Sequence, residues 1–368
     1  MYFAVLWKHP QISLTELQIV QPTFFPSTKK GIVLFETKNP ELLKTLWWCI
    51  KSGIIVTEKD LQTLLQEVKI IGIQEEAIGK HFKRTIGIRR FKTVKINHTD
   101  REIKEKWKEI INLDNGKYGI VEHYQNIPLY ESIDFEKPGR SMNMWMMPAK
   151  LTHILINLGI QNTIANKQLS HCEEEWNYDV AIQNKKSSNN ITIYDPFCGS
   201  GTTNFLTNYM GYNTVGSDIN ISYAEKNLPW RQTTVFYNSK ASISFFNNDT
   251  TKSIPSNLFN PSNQPIIVTE WRLGPIITKK SSSDQIQKAQ QQITKLYTDF
   301  FTNTIKSDLF STIVCTIPWY IGHDNIHEQQ FQKTVENLGY GRKSISETYQ
   351  REDQQVGRKI CIITKKGS

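Results

Sequence analysis

ITIYDPFCGSGTT, residues 191–203, is the stretch that decides the fold. Ile191, Thr192, Ile193 and Tyr194 are β-branched or aromatic and read as a buried strand. Asp195 and Pro196 end it. Gly199 and Gly201 then let the backbone turn sharply and let a ligand approach where a Cβ would stand. Thr202 onward (TTNFLTNYM) has a helical pattern, with Gly211 where a left-handed cap belongs. Strand, glycine turn and helix together are the nucleotide-cofactor turn of an open α/β sheet, which binds its ligand outside the carboxyl ends of the strands. No Gly-Lys-Ser/Thr ending follows, so the turn is not a P-loop, and the three-glycine dinucleotide spacing is missing too.

The rest of the sheet can be followed from this turn. Asn213–Ser217 reads as a second strand ending at Asp218, at the spacing of a carboxylate that accepts hydrogen bonds from ribose hydroxyls. Ile219 follows it, and a helix is expected over Ile221–Arg231. A third strand, Ser242–Phe246, leads to Asn248 and Asp249, where an amide or carboxylate can hold an adenine amino group. The fourth, Pro265–Thr269, runs into Glu270-Trp271-Arg272-Leu273-Gly274. A helix over Ser283–Ile305 carries Ile286, Ala289, Ile293, Leu296 and Phe300 on one stripe. A fifth strand (Ser311–Ile317) and a last one (Lys359–Thr364) complete the set.

Upstream, residues 1–7 read as a strand, and Ser13 to Glu16 as a capping box that opens a helix. Strands are expected at Gly31–Phe35 and Gly53–Thr57, with an amphipathic helix at Glu41–Ile50 between them. Lys80–Lys95 (KHFKRTIGIRRFKTVK) holds Lys80, Lys83, Arg84, Arg89, Arg90 and Lys92 around Phe82 and Phe91. Its alternating Thr85–Ile88 reads as a strand with basic flanks. Charge interleaved with aromatic rings suits a phosphate-tracking, RNA-binding surface. Residues 101–112 read as a polar helix, Tyr118–Glu122 and Ile127–Ser132 as strands, and Pro148 as the start of a helix with Leu151, Ile154, Leu155 and Leu158 on one face. Gln161–Asn190 reads as a helix followed by a polar loop.

The totals agree with a polyanion partner. The 368 residues carry a net charge of +9 and 11% aromatic residues. No apolar run reaches the roughly 20 residues of a membrane span, and the amino terminus lacks a signal-peptide layout. The five cysteines are scattered with no C-x-x-C pair, which argues against zinc and a disulfide framework and for a reducing cytoplasm. Cys198, inside the turn, has no neighbouring cation in sequence and reads as a packing residue.

With these residues in place, DPFCGSGTT resembles the motif of S-adenosylmethionine-dependent methyltransferases that act on exocyclic amino groups of bases. The chain as a whole resembles the THUMP-domain tRNA guanine-N2 methyltransferases of the archaeal type. Met146-Met147-Pro148-Ala149-Lys150-Leu151 is similar to that family's Met-Leu-Pro-Pro-Lys-Leu helix start, and GSDIN follows at the second strand. The resemblance implies two parts. Residues 1–135 form an α+β, THUMP-like RNA-binding region, and residues 136–368 a Rossmann-like α/β methyltransferase domain. It implies S-adenosyl-L-methionine as cofactor, held by Met147, Asp195, Phe197, Cys198, Gly199, Gly201, Thr202, Asp218, Ile219, Asn248 and Asp249. It also implies tRNA as partner, without metal or membrane.

The family's Asp-Pro-Pro-Tyr-Gly loop is Glu270-Trp271-Arg272-Leu273-Gly274 here, so the carboxylate survives and the Pro-Pro-Tyr portion does not. An exocyclic amine is a weak nucleophile whose nitrogen gains positive charge during methyl transfer, so an acceptor must stand beside it. Glu270 is the candidate acceptor, Trp271 the candidate platform for a base turned out of its helix, and Arg272 the candidate contact to a phosphate or ring edge. Two alternatives stay open: a DNA amino-methyltransferase, and a relative that binds RNA without catalysis.

Overall fold

The computed structural model describes residues 1–18, 22–40, 43, 46, 49–65, 68, 70–96, 107–113, 116–140, 146–170, 191–232, 240–259, 265–271, 273–275, 277–351 and 354–365, less the side chains of 165–170 and 306. The chain divides into two compact units, Met1–Asn126 and Ile127–Ser368.

The first unit is α+β. Its elements are β1 (Tyr2–Leu6), α1 (Pro10–Leu17), β2 (Thr23–Phe25), β3 (Ile32–Glu36), β4 (Cys49–Thr57), α2 (Glu58–Leu64), β5 (Ile70–Ile73), α3 (Glu76–Thr85), β6 (Arg90–Thr93), β7 (Lys108–Asn112) and β8 (Lys117–Tyr124). The strands form one sheet in the order β2-β3-β1-β4-β8-β7-β5-β6. Only β5 pairs in parallel, with β6 and β7; the remaining pairs are antiparallel.

Three expectations fail in this unit. Helix α1 starts at Pro10, not at a Ser13 box. Proline pre-sets the first helical turn, so Ser13 falls inside and its hydroxyl donates to the His9 carbonyl at 3.2 Å. Thr85–Ile88 is not a strand. Helix α3 runs to Thr85, Gly87 turns the chain at φ 78°, and β6 begins only at Arg90. Lys108–Asn112 is a strand, not a helix. Ile110 and Ile111 are both buried because clusters lie on both faces of the sheet, Ile110 beside Phe82 and Tyr118, Ile111 beside Phe3 and Val121. Residues 101–106, and most of the expected 41–50 helix, lie outside the described residues; Cys49 and Ile50 belong to β4.

The second unit opens with α4 (Ile127–Glu131) and a single π-helical turn, Ser132–Glu136, where a strand was expected. Pro128 suits a first helical turn, and Leu129, Tyr130 and Ile133 are buried at helical spacing. The elements that follow are α5 (Ala149–Ser170), β9 (Thr192–Asp195), α6 (Thr202–Tyr209), β10 (Asn213–Asp218), α7 (Ser222–Gln232), β11 (Ile243–Asn247), β12 (Ile266–Glu270), α8 (Ser283–Ser307), β13 (Thr312–Tyr320), α9 (Ile326–Asn337), β14 (Tyr340–Tyr349) and β15 (Val356–Lys365). Helix α9 and most of β14 carry no expectation above. Residues 171–190 lie outside the described residues.

The strand order is β11-β10-β9-β12-β13-β15-β14. The first five are parallel, and β15 lies antiparallel between β13 and β14. This is a Rossmann-like sheet. Strand β9 comes first in sequence and sits inside, with β10 on one side and β12 on the other. That reversal opens a crevice at the carboxyl ends of β9, β10 and β12. Among the described residues no helix is long and apolar enough to cross a membrane.

Candidate functional site

The crevice holds a cavity of about 680 Å³, within the range of sites that enclose a drug-sized ligand. Its floor is the glycine turn. Asp195 ends β9, and Gly201, at φ 81°, caps α6. A Cβ on Gly201 would lie 2.9 Å from the Phe205 ring and 3.1 Å from Phe245, so close packing and backbone conformation both demand glycine there. Phe197, Cys198, Gly199, Ser200 and Thr202 face the cavity, while Gly201 lies off its wall.

The polar groups of the turn tie it to the sheet. The buried Asp195 Oδ1 accepts the Thr269 hydroxyl at 2.6 Å and the Phe197 N–H at 3.1 Å. Burial pushes its carboxyl up to about 6, against the hydrogen bonds of Thr203 and Thr269. Asp218 Oδ2 accepts the Gly199 N–H at 3.0 Å, and its Oδ1 the Asn220 N–H at 3.1 Å. The end of β10 is thereby fastened to the turn. Cys198 is buried, and desolvation holds its thiol well above the usual range, so it packs as a neutral group.

The far walls come from elsewhere. Met146 and Met147 line one side ahead of α5. Ile219 projects at the mouth, 74% exposed. Asn248 and Asp249 line the cavity after β11 with their side chains engaged in their own turn. The Asn248 amide donates to the Ser253 carbonyl at 2.9 Å, and Asp249 Oδ1 takes both the Thr251 hydroxyl and its N–H. The Thr251 bonds lower the Asp249 carboxyl.

Glu270, at the end of β12, lines the same cavity as Cys198. Its Oε1 receives the Nε–H of Arg358 on β15 in an ion pair that is almost fully buried. Trp271 also lines the cavity, from within the core. Its ring is wholly buried, 4.0 Å from the Tyr297 ring centroid and between 5.0 and 5.5 Å from Phe300, Phe301 and Phe331. These aromatic residues come from α8 and α9 and form the core on that side of the sheet, which a large apolar ring joins more favourably than a wet cleft. Arg272 lies outside the described residues. Gly274, at φ 84°, also lines the cavity.

The basic residues singled out above lie in the first unit. Lys80, Lys83 and Arg84 are on α3, Arg90 and Lys92 on β6, and Arg89 precedes β6. Lys80 pairs with Glu76 at 2.8 Å and Lys83 lies 5.5 Å over the Phe91 ring; both, like Arg84, Arg89 and Arg90, are exposed.

Two site residues escaped the sequence reading. Arg358 is 88 residues from Glu270, and only strand pairing brings them together. Lys137, ahead of α5, donates to the hydroxyls of Ser200 and Thr202 on the glycine turn. Gly139 lies beside it; its N–H donates to Asn227 Oδ1 at 2.6 Å, and Asn227 Nδ2 donates to the Ser200 carbonyl at 2.9 Å. A lysine before Pro-Gly, just ahead of an apolar helix start, was the available signal.

Fold and site together define an open α/β unit with a ligand cavity at the switch point of its sheet. No protein-family model and no curated protein matches the chain. Among solved structures, TrmN from Thermus thermophilus is similar with a TM-score of 0.48 at 11% identity, over 99% of this chain and 99% of that one. Magnesium protoporphyrin IX methyltransferase (ChlM) from Synechocystis with bound SAM gives 0.31 at 13%, over 65% and 94%. A SAM-dependent methyltransferase from Methanosarcina mazei gives 0.33 at 10%, over 50% and 96%.

Proposed function

We propose that the Ile127–Ser368 unit binds S-adenosylmethionine and methylates an exocyclic amino group of a base in RNA, guanine N2 of a tRNA being the expected acceptor. The Met1–Asn126 unit would serve as its THUMP-like RNA-binding region. One observation carries this reading. Cys198 on the glycine turn and Glu270 at the end of β12 line one cavity.

The residues present suit the cofactor. The Gly199–Gly201 turn gives close backbone approach, Asp218 stands at the second strand end for ribose hydroxyls, and Ile219 offers an apolar face for adenine. The bound cofactor supplies an electrophilic methyl on its sulfonium. The chain supplies an acceptor for the amine. With Glu270 Oε1 held by Arg358, Oε2 has no partner among the described residues and is the atom that would take the amine proton's hydrogen bond. That proton becomes acidic only as the new N–C bond forms, so a weak acceptor suffices.

A second reading has an observation of its own. Trp271 lines the cavity but is 0% exposed and packed in the core, which leaves little of its ring for a base to stack on and favours a unit that binds cofactor and RNA without transfer. Tritiated methyl transfer from the cofactor to bulk tRNA separates the readings. Label in tRNA that Glu270→Gln abolishes supports the proposal, and label only in DNA makes the acceptor DNA. Cofactor binding with no transfer to either supports the second reading.

A further inference from the structure

We propose that Lys137 is a positioning residue that turns the floor of the cavity into a carboxylate site by fixing the hydroxyls of Ser200 and Thr202 as outward donors. The inference rests on the cofactor reading above and names the part of the ligand this end would hold.

Lys137 is 3% exposed, and its Nζ donates to Thr202 Oγ1 at 2.6 Å and to Ser200 Oγ at 3.2 Å. Among the described residues no carboxylate oxygen lies within 4.0 Å of it. Asp134 acts on it only at longer range and has its own Oδ1 on the Ala149 N–H at 2.9 Å. Burial pushes the ammonium down to about 8, with Asp134 opposing and Arg140 adding to the fall, so it is largely protonated at neutral pH.

An ammonium has three donors and no acceptor. Both hydroxyl oxygens must therefore accept from Lys137, and each hydroxyl proton must go elsewhere. Ser200 has only the weak Met146 sulfur, at 3.6 Å. The Thr202 proton has no acceptor among the described residues. Both side chains are more than nine-tenths buried, and both residues line the cavity. Gly201 caps α6 without a side chain, so the positive end of the helix dipole adds to the same spot.

Two polarised hydroxyls backed by a buried cation without a close counter-ion select an anion. The charge is one, and Asp195 and Asp218 flank the turn; a monoanion is favoured over a phosphate dianion. A single carboxylate, the α-carboxylate of a methionyl group, fits.

The test compares S-adenosylhomocysteine, which carries that carboxylate, with 5′-methylthioadenosine, which lacks the amino-acid end, by calorimetry on the full chain. Lys137→Met keeps the length of the stem and removes the charge. Loss of charge-assisted hydrogen bonds should weaken homocysteine-ligand binding about 10- to 100-fold and leave methylthioadenosine within about twofold. Thr202→Val should move the same ligand in the same direction, and it answers the question if Lys137→Met fails to fold. Equal weakening of both ligands, or no weakening of either, overturns the proposal. If the unaltered protein binds neither ligand, the cofactor reading falls and takes the proposal with it.

Discussion

Replacing Asp195 by asparagine should make the protein more stable at neutral pH, by an amount that depends on pH in a defined way. The wild-type carboxyl titrates near 3.8 when unfolded and near 6 when folded, because burial outweighs the hydrogen bonds it receives. A group with a raised folded pKa binds more protons when folded. Its ionised form therefore costs stability, and the cost grows as pH rises from about 4 and is complete above about 6. A shift of roughly two units at 1.36 kcal/mol each gives a cost of about 3 kcal/mol at pH 7 and about half that at pH 5. Asparagine keeps an oxygen for the Phe197 N–H and the Thr269 hydroxyl and carries no charge. Urea unfolding of both proteins at pH 7 and pH 5 reads the difference. A gain near the calculated ceiling at pH 7, halved at pH 5, is expected. A loss of stability at pH 7, or a gain that does not change with pH, would refute the reasoning.

Arg358→Met leaves Glu270 buried without its partner and should destabilise the fold by about 3–5 kcal/mol; Glu270→Gln in the same chain should recover most of it, as denaturant melts will show. Trp271→Ala opens a hole among Tyr297, Phe300, Phe301 and Phe331 and should cost about 3–5 kcal/mol. If melting is unchanged while tRNA affinity falls, the ring belongs to the substrate surface after all. Charge reversal at Arg84, Arg89 and Arg90 should weaken tRNA binding and flatten its dependence on salt by about one logarithmic unit per lost phosphate contact. A filter-binding salt series that keeps its slope would count against that surface.

Much of the second unit was legible because its rules are local. A β-branched strand, a glycine turn and a capped helix announce themselves within a dozen residues, and 191–211 contains all three. The failures share a different cause. Thr85–Ile88 alternates like a strand, yet Gly79 and Phe82 bury one face of α3, which runs on to Thr85 before Gly87 turns the chain. Ile110–Ile111 looked helical because two adjacent buried residues suit a helix as well as a strand that is covered on both faces. At the site, Asp195, Cys198 and Asp218 could be placed from the motif alone. The full burial of Trp271 was not legible, because nothing local says which way a side chain leaves a loop. That depended on α8 and α9, which supply its neighbours from residues 297–331.

The placement of charge gives the strongest argument for function at the switch point. In the first unit Lys51 and Glu109 are buried together at 2.6 Å, with Gln74 on Glu109 and the Lys95 carbonyl on Lys51. Those two charges cancel each other. In the second unit Lys137 and Asp195, both at the glycine turn, have no ion-pair partner within 4.0 Å among the described residues and are held by neutral groups instead. Glu270 keeps one oxygen without a partner there beside Arg358. Each costs folding free energy that an apolar core would not. Charges left uncompensated around one cavity are what a site built for a charged ligand requires, with the balance completed when that ligand binds.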